Sequence, residues 1–326
     1  MKPFSDLWGA PSRTGDITWR YGVEGGWQRQ SSRYSYGEET DPPTNISAST
    51  AGDKFNGRLY LDALHDIATG WKAEYGLTAS ALGAGEKGVR RVDPRVGLAW
   101  EPVDGQWLRL GYLAESLEFT TPTLSPSGVV GLQPAQVPVD ANGGVDTLAA
   151  RWDAEWTHRF FTSVEYQHQS IDEYFAVVPS QNIPVSIAEG ISDRVSATGN
   201  LALGGGLGVS ATAVRTWSEN QDAGTLTYRK NMPFMPSWAG QVAATWVNEN
   251  NLRLTVAGNY LGKRIEGGGV KLDDVWTLDA GLTWEPFDKR YSLEFSAYNL
   301  LDADFEISDG VPGWGPSFRG MFKARF

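Results

Sequence analysis

Large apolar and aromatic side chains recur at every second residue along most of this chain, and the charges fall between them. In Ile17–Gln28 one face carries Ile17, Trp19, Tyr21, Val23, Gly25 and Trp27, the other Thr18, Arg20, Gly22, Glu24, Gly26 and Gln28. A period of two with that division is a β-strand with one apolar and one polar face. It repeats at 71–80, 147–156, 276–285 and 318–326. The indoles say more than the alternation. Trp19 and Trp27, Trp152 and Trp156, Trp238 and Trp246, and Trp276 and Trp284 all take the apolar side, as does Trp71, and the widest pairs are eight residues apart. Eight residues span about 27 Å, or about 20 Å of height once a strand tilts by ~40°. That is the height of a lipid-facing band between two aromatic girdles. A soluble sandwich also alternates but has no reason to bracket its strands with indoles.

Composition agrees. The 326 residues include 14 Trp and 38 Gly, and no run approaches the roughly 18 apolar residues of a spanning helix. An α-helical membrane protein is excluded; a barrel, where only alternate residues face lipid, is not. The absence of Cys excludes disulfide scaffolds and Cys-ligated metal and suits an oxidising periplasm. A net charge of −11 argues against nucleic acid as a partner. Met1–Ala10 has no apolar signal-peptide core. Residues 1–16 read as a periplasmic N-terminal lead, and the chain as an excised piece of a longer protein.

Strands are expected near 17–33, 54–66, 71–83, 94–101, 107–119, 145–157, 160–175, 185–202, 207–218, 237–248, 252–264, 273–286, 291–301 and 316–326. Short links such as 68–70, 158–159 and 249–251 alternate with long ones such as 34–53, 85–93, 120–144, 176–184 and 219–236. Periplasmic turns and extracellular loops alternate in this way in outer-membrane barrels. The expected fold is therefore all-β, a closed antiparallel transmembrane β-barrel over 17–326 of about 14 strands, with both termini periplasmic.

If the apolar face meets lipid, the other face lines a pore. The expected lining is Arg20, Glu24, Arg58, Asp62, Lys72, Glu74, Arg95, Glu101, Arg109, Glu115, Arg151, Asp153, Glu155, Glu165, Arg194, Arg253, Lys263, Asp279, Glu285, Glu294, Arg319, Lys323 and Arg325. Both signs occur along most of the ring, which reads as a salt-bridged, solvated wall rather than a dedicated substrate track. Arg319, Lys323 and Arg325 form a basic ladder on the last strand, expected to meet Arg20 and Glu24 across the closing seam. A wall of this size encloses aqueous space or an inserted element. The long loops lean acidic, with Glu38, Glu39, Asp41 and Asp53 in one and Asp302, Asp304 and Asp309 in another. That composition reads as soluble loop, with cation bridging to lipopolysaccharide as the alternative. No metal site or cofactor is expected.

An enzyme would need a nucleophile or activated water with His or paired carboxylates at the rim. His65 and His168 instead fall on the apolar register, and His158 sits in a turn. No G-x-S-x-G or H-E-x-x-H run occurs, and Gly204–Gly206 and Gly267–Gly269 read as turns. No enzyme is expected.

Two stretches resemble known families. Asn259–Arg264 (NYLGKR) and Leu278–Asp302 (LDAGLTWEPFDKRYSLEFSAYNLLD) are similar to the closing strands of TonB-dependent receptors. Pro316-Ser317 replaces that family's usual Gly-Arg, and Met1–Gly15 shows no TonB box. Asp93–Glu101 (DPRVGLAWE), Trp107–Tyr112 (WLRLGY) and Thr121–Leu132 resemble the C-terminal barrel of outer-membrane proteins that carry periplasmic tetratricopeptide repeats. That resemblance implies an upstream repeat domain and an export role for polysaccharide or protein. Phe322 and Phe326 in the last strand resemble the signal read by the barrel-assembly machinery. The expected partners are thus outer-membrane lipid and lipopolysaccharide, that machinery, and a periplasmic repeat domain or export partners. The expected role is a translocation conduit in the bacterial outer membrane, the pore module of a repeat-containing exporter. The alternatives are a passive diffusion porin and a receptor-like importer barrel lacking its plug. Partial occlusion of the lumen by the 120–144 loop is the structural mark expected of the exporter.

Overall fold

The computed structural model describes residues 4–38, 44–84, 87–116, 123–178, 183–286 and 290–324. Its strands are β1 (Phe4–Thr14), β2 (Ile17–Glu38), β3 (Thr44–Ala68), β4 (Trp71–Ala84), β5 (Lys87–Val103), β6 (Gln106–Glu115), β7 (Val139–Thr157), β8 (Phe160–Val178), β9 (Ile183–Gly204) and β10 (Leu207–Asn220). The chain continues through β11 (Trp238–Val247), β12 (Leu252–Leu261), β13 (Arg264–Ile265), β14 (Lys271–Leu272), β15 (Val275–Trp284), β16 (Tyr291–Tyr298), β17 (Glu306–Ser308), β18 (Val311–Pro312) and β19 (Ser317–Ala324). Fifteen of these make one antiparallel meander, β1 through β12 in order, then β15, β16 and β19. The pairs β13/β14 and β17/β18 are small hairpins within long connections.

All fourteen expected strands are present. The fifteenth is β1, which pairs with β2 from Phe4↔Trp27 to Thr14↔Ile17, so the sheet begins upstream of Ile17. Pro11 and the small residues around it blur the alternation there. Among the described residues no ladder joins β1 to β19, so the expected closed ring of 14 is here a fifteen-stranded sheet with those two strands at its edges. The expected seam is corrected too. Arg20 and Glu24 lie on β2, between β1 and β3, and the basic face of β19 meets β16.

The ladders also outlast the apolar pattern. β2 and β3 pair as far as Glu38↔Thr44, β5 starts at Lys87, and β9 starts at Ile183. Beyond a lipid-facing band a hairpin needs no apolar face, because cross-strand hydrogen bonds alone satisfy its backbone. Polar strand ends therefore read as loop. At the other end of the sheet the turns are tight. Gly70 and Gly105 each sit at φ +75°, a conformation costly for any residue with a Cβ.

Burial is inverted relative to a soluble protein. Leu59, Leu61, Leu77, Val96 and Leu110 are each more than half exposed, whereas Asp62, Thr147, Gln167 and Gln169 are at most 1% exposed. The polar face is the packed one. Trp27, Trp71, Trp156, Trp238, Trp246, Trp276 and Trp284 are all exposed, with Trp19 and Trp152 partly so. Trp71 stacks on Trp100 at 5.3 Å, and Trp152 meets Trp156 edge-on at 5.6 Å. His65 and His168 do fall on this face, where His168 Nδ1 lies 2.9 Å from an Asp193 oxygen that also accepts the Tyr166 hydroxyl at 2.6 Å. If this face meets hydrocarbon, Leu61→Arg should destabilise the folded protein in lipid vesicles by about 2–4 kcal/mol. Equilibrium unfolding checks it; a change under about 0.5 kcal/mol, usual for a water-facing site, would contradict it.

Candidate functional site

The polar face is organised around buried carboxylates. Asp62 accepts from Arg20 Nε and from Arg95 Nε, each at 2.9 Å, and Arg20 also pairs with Glu74. Gly76 makes room for this cluster, since a Cβ there would stand 2.6 Å from Asp62 Oδ1. Arg58 reaches Glu24 at 3.2 Å. Further along, Asp153 pairs with Arg109 and Arg151, and Arg151 lies 3.7 Å from Glu165. Arg109 also stacks its charge 5.6 Å from the Trp107 ring. Opposite charges thus pair along the wall, and where like charges face each other, as Arg109 and Arg151 do across β6 and β7, Asp153 lies between the two arginines.

Across this face runs the segment 123–138, which follows β6. Glu24 Oε1 accepts from Thr123 Oγ1 at 2.9 Å, Leu124 N at 2.6 Å and Ser125 N at 3.0 Å. Arg95 bonds the Pro126 carbonyl, and Glu74 Oε2 accepts from Val130 N. Val129 and Leu132 close a tight turn through reciprocal backbone bonds of 2.8 and 3.1 Å, with Val130 and Gly131 both at positive φ. Left-handed geometry is costly for a β-branched residue and persists only where packing over-determines it. Here the packing is an apolar knot of Val129, Val130 and Leu132 on Ala99, Leu113 and Ala149. It depends on two glycines: a Cβ on Gly97 would lie 2.7 Å from Val130, and one on Gly111 2.6 Å from Val129. Beyond the turn, Gln167 accepts from Ala135 N at 2.8 Å and donates to the Gln133 carbonyl, while Gln169 donates to the Ala135 carbonyl. The segment therefore crosses from β2 to β8 as an inner strap.

The remaining expected lining residues are spread along the same wall. Lys72 lies 3.6 Å from Asp66, Asp279 accepts from Asn259 and the Asn299 amide, and Arg253 bonds Thr283. Glu294 takes Lys323 at 2.6 Å, with Arg319 on the same face of β19. Arg194 is half-buried opposite Gln167, and Glu155 is exposed beside a short turn. Lys263 lies past the end of β12, in a connection, 4.0 Å from Asp273. Arg325 and Phe326 lie outside the described residues; Phe322 stacks on Tyr291. Gln167, Gln169, Gly97 and Gly111 were not singled out from sequence. Their signal is position: each falls on the polar register of a strand whose neighbours there are charged.

At the long-connection end, Met232 and Val137 join Ile171, Tyr174 and Ile187 in a second apolar cluster, and Tyr174 donates to the Pro233 carbonyl at 2.6 Å. Asp222 anchors this cap by accepting Ala188 N at 3.0 Å and Gly224 N at 2.8 Å. Those amides hold its carboxyl below the ordinary value of 3.8. A depressed folded-state pKa adds stability that is present above the ordinary value and lost as pH falls through the folded one. Pepsin cleavage within 221–237, measured relative to Asp222→Asn, should rise as pH drops from about 5 to about 3. A constant ratio would contradict the anchor.

A single wall of antiparallel strands, apolar outside and charged inside, is shared by many outer-membrane proteins, and sequence comparison separates them. The family described as TonB dependent receptor-like, beta-barrel matches residues 3–300. The chain belongs to this family. Its TonB-dependent receptor-like barrel is similar in fold to the copper transporter OprC (TM-score 0.71, 11% identity, covering 99% of this chain and 56% of that one). It is also similar to the siderophore receptor PiuA from Acinetobacter baumannii (0.69, 13% identity, 98% and 56%). A third is the FrpB iron transporter from Neisseria meningitidis, F3-3 variant (0.66, 12% identity, 98% and 54%). The chain thus spans about half the length of these structures. No curated protein sequence matches it. The family places the TonB-dependent receptor-like barrel in the outer membrane of Gram-negative bacteria. It bears out the receptor side of the sequence resemblance; nothing in the comparisons extends the tetratricopeptide side.

Proposed function

We propose that this chain forms lumen wall of a receptor-type importer, with the strap 123–138 narrowing the passage along β2–β8. The observation that carries the reading is Glu24, 7% exposed, gathering three donors of one segment onto the charged face. The similar structures are described as iron, copper and siderophore transporters or receptors, and by extension the cargo is a metal chelate. Titrating the full-length protein with a panel of ferric chelates, read by tryptophan fluorescence, should give saturable binding, and planar bilayers should show no steady conductance. Steady ohmic conductance without chelate binding would instead identify a diffusion porin. The strap also meets the criterion of partial occlusion set for an exporter, but family membership supports import.

A further inference from the structure

The apolar face carries a groove of about 730 Å³ toward the long-connection end of β2–β5. Gly25, Gly57 and Ala81 make its floor, and Phe55, Leu59 and Val92 stand around it. The register sets Gly25, Gly57, Ala81 and Arg90 in one row across four strands. A second depression, of about 350 Å³, shares Leu59 with the first and continues along the strands past Leu61 and Leu77. From the Gly25 row to the Tyr21 row the channel runs about 14 Å. Arg90 projects from the same face as Val92, exposed, with no hydrogen bond or ion pair among the described residues. A guanidinium beside Phe55, Leu59 and Val92 on a face rich in Leu, Val and Trp suits the headgroup level of a bilayer, where a phosphate matches its fork of donors. Arg29 lies on the same face two residues beyond Trp27, opposite Asp53 on β3.

We propose that this groove holds one acyl chain of a phosphate-bearing lipid of the outer leaflet, with Arg90 on the phosphate. The proposal rests on the reading that the aromatic face meets hydrocarbon. The floor of Gly25, Gly57 and Ala81 leaves room for a hydrocarbon chain along the strands, and the cation at its end selects the anionic headgroup.

The test uses the full-length protein in neutral detergent and native mass spectrometry. Three probes are compared: diphosphorylated lipid A, its dephosphorylated form, and phosphatidylcholine. One lipid A should be retained at concentrations where the other two dissociate. Arg90→Gln, which removes the charge, and Ala81→Leu, which fills the floor, should each weaken lipid A binding about tenfold, with circular dichroism confirming the fold. Wild-type affinity in both variants, or equal retention of dephosphorylated lipid, would overturn the site. If no probe binds the wild type while Leu61→Arg still carries its large cost, the groove alone is refuted. If that cost is absent too, the lipid-facing reading falls with it.

Discussion

Replacing Gly111 by leucine is expected to expel the inner strap from the polar face. A Cβ at this position would stand 2.6 Å from Val129 Cγ1 and 2.9 Å from Leu132 Cδ1, so the larger side chain has nowhere to go but the seat of the apolar knot. Overpacking of this kind costs about 1–3 kcal/mol. The knot is the centre of the strap, and Val130 holds its left-handed backbone only while packed there. Its loss leaves Glu24 and Glu74 to find water in place of strap amides. The strands themselves keep their ladders, so the sheet should survive. Thermolysin should then cleave within 123–138 at least tenfold faster than in the wild type, and the bilayer conductance of the full-length protein should rise. Unchanged cleavage would mean that the glycine pits are incidental and that the strap is held elsewhere.

Loss of Asp62 should do more damage to the wall itself. Its carboxylate is fully buried and serves two arginines; Arg95 is 7% exposed, while Arg20, at 38%, keeps much of its hydration. Asp62→Ala therefore strands chiefly Arg95, and an uncompensated buried charge costs about 3–5 kcal/mol. The Arg20 contact adds little, since it is exposed and screened. Replacing both partners, Asp62→Leu with Arg95→Met, should recover most of the loss, because apolar isosteres of a buried pair are often neutral. Unfolding in detergent measures both. A double variant no better than Asp62→Ala would show that the pair holds the strap, through Arg95 and the Pro126 carbonyl, more than it holds the strands.

The wall was legible because alternation is local. Each of the fourteen expected strands declares its two faces within ten residues, and the indoles declare which face meets lipid. What the sequence hid is non-local. Glu24 and Leu124 are bonded across one hundred positions, and nothing in Thr123–Pro138, a stretch of Ser, Pro, Gly and small apolar residues, distinguishes a seated strap from a free loop. Gly97 and Gly111 look like ordinary strand glycines until the valines above them are seen. Ladders such as Ser31–Glu38 against Thr44–Ala51 are rich in Ser, Thr and Gly and do not continue the apolar stripe of Ile17–Trp27, so a pattern built on burial passes over them. β1 is hidden for a related reason: Pro11 and its small neighbours leave too few large side chains to show a period.

The absence of cysteine makes the decisive measurement clean, because a single spin-labelled Cys can be placed at Arg20, Tyr21, Gly22 and Val23 in turn without background. In bilayers, labels at Tyr21 and Val23 should collide with dissolved oxygen and resist a water-soluble nickel relaxant, while those at Arg20 and Gly22 show the reverse. Nickel reaching Tyr21 and Val23 as readily as bulk water, with the label at Arg20 shielded in an apolar interior, would mean that the indole-bearing face does not meet the membrane.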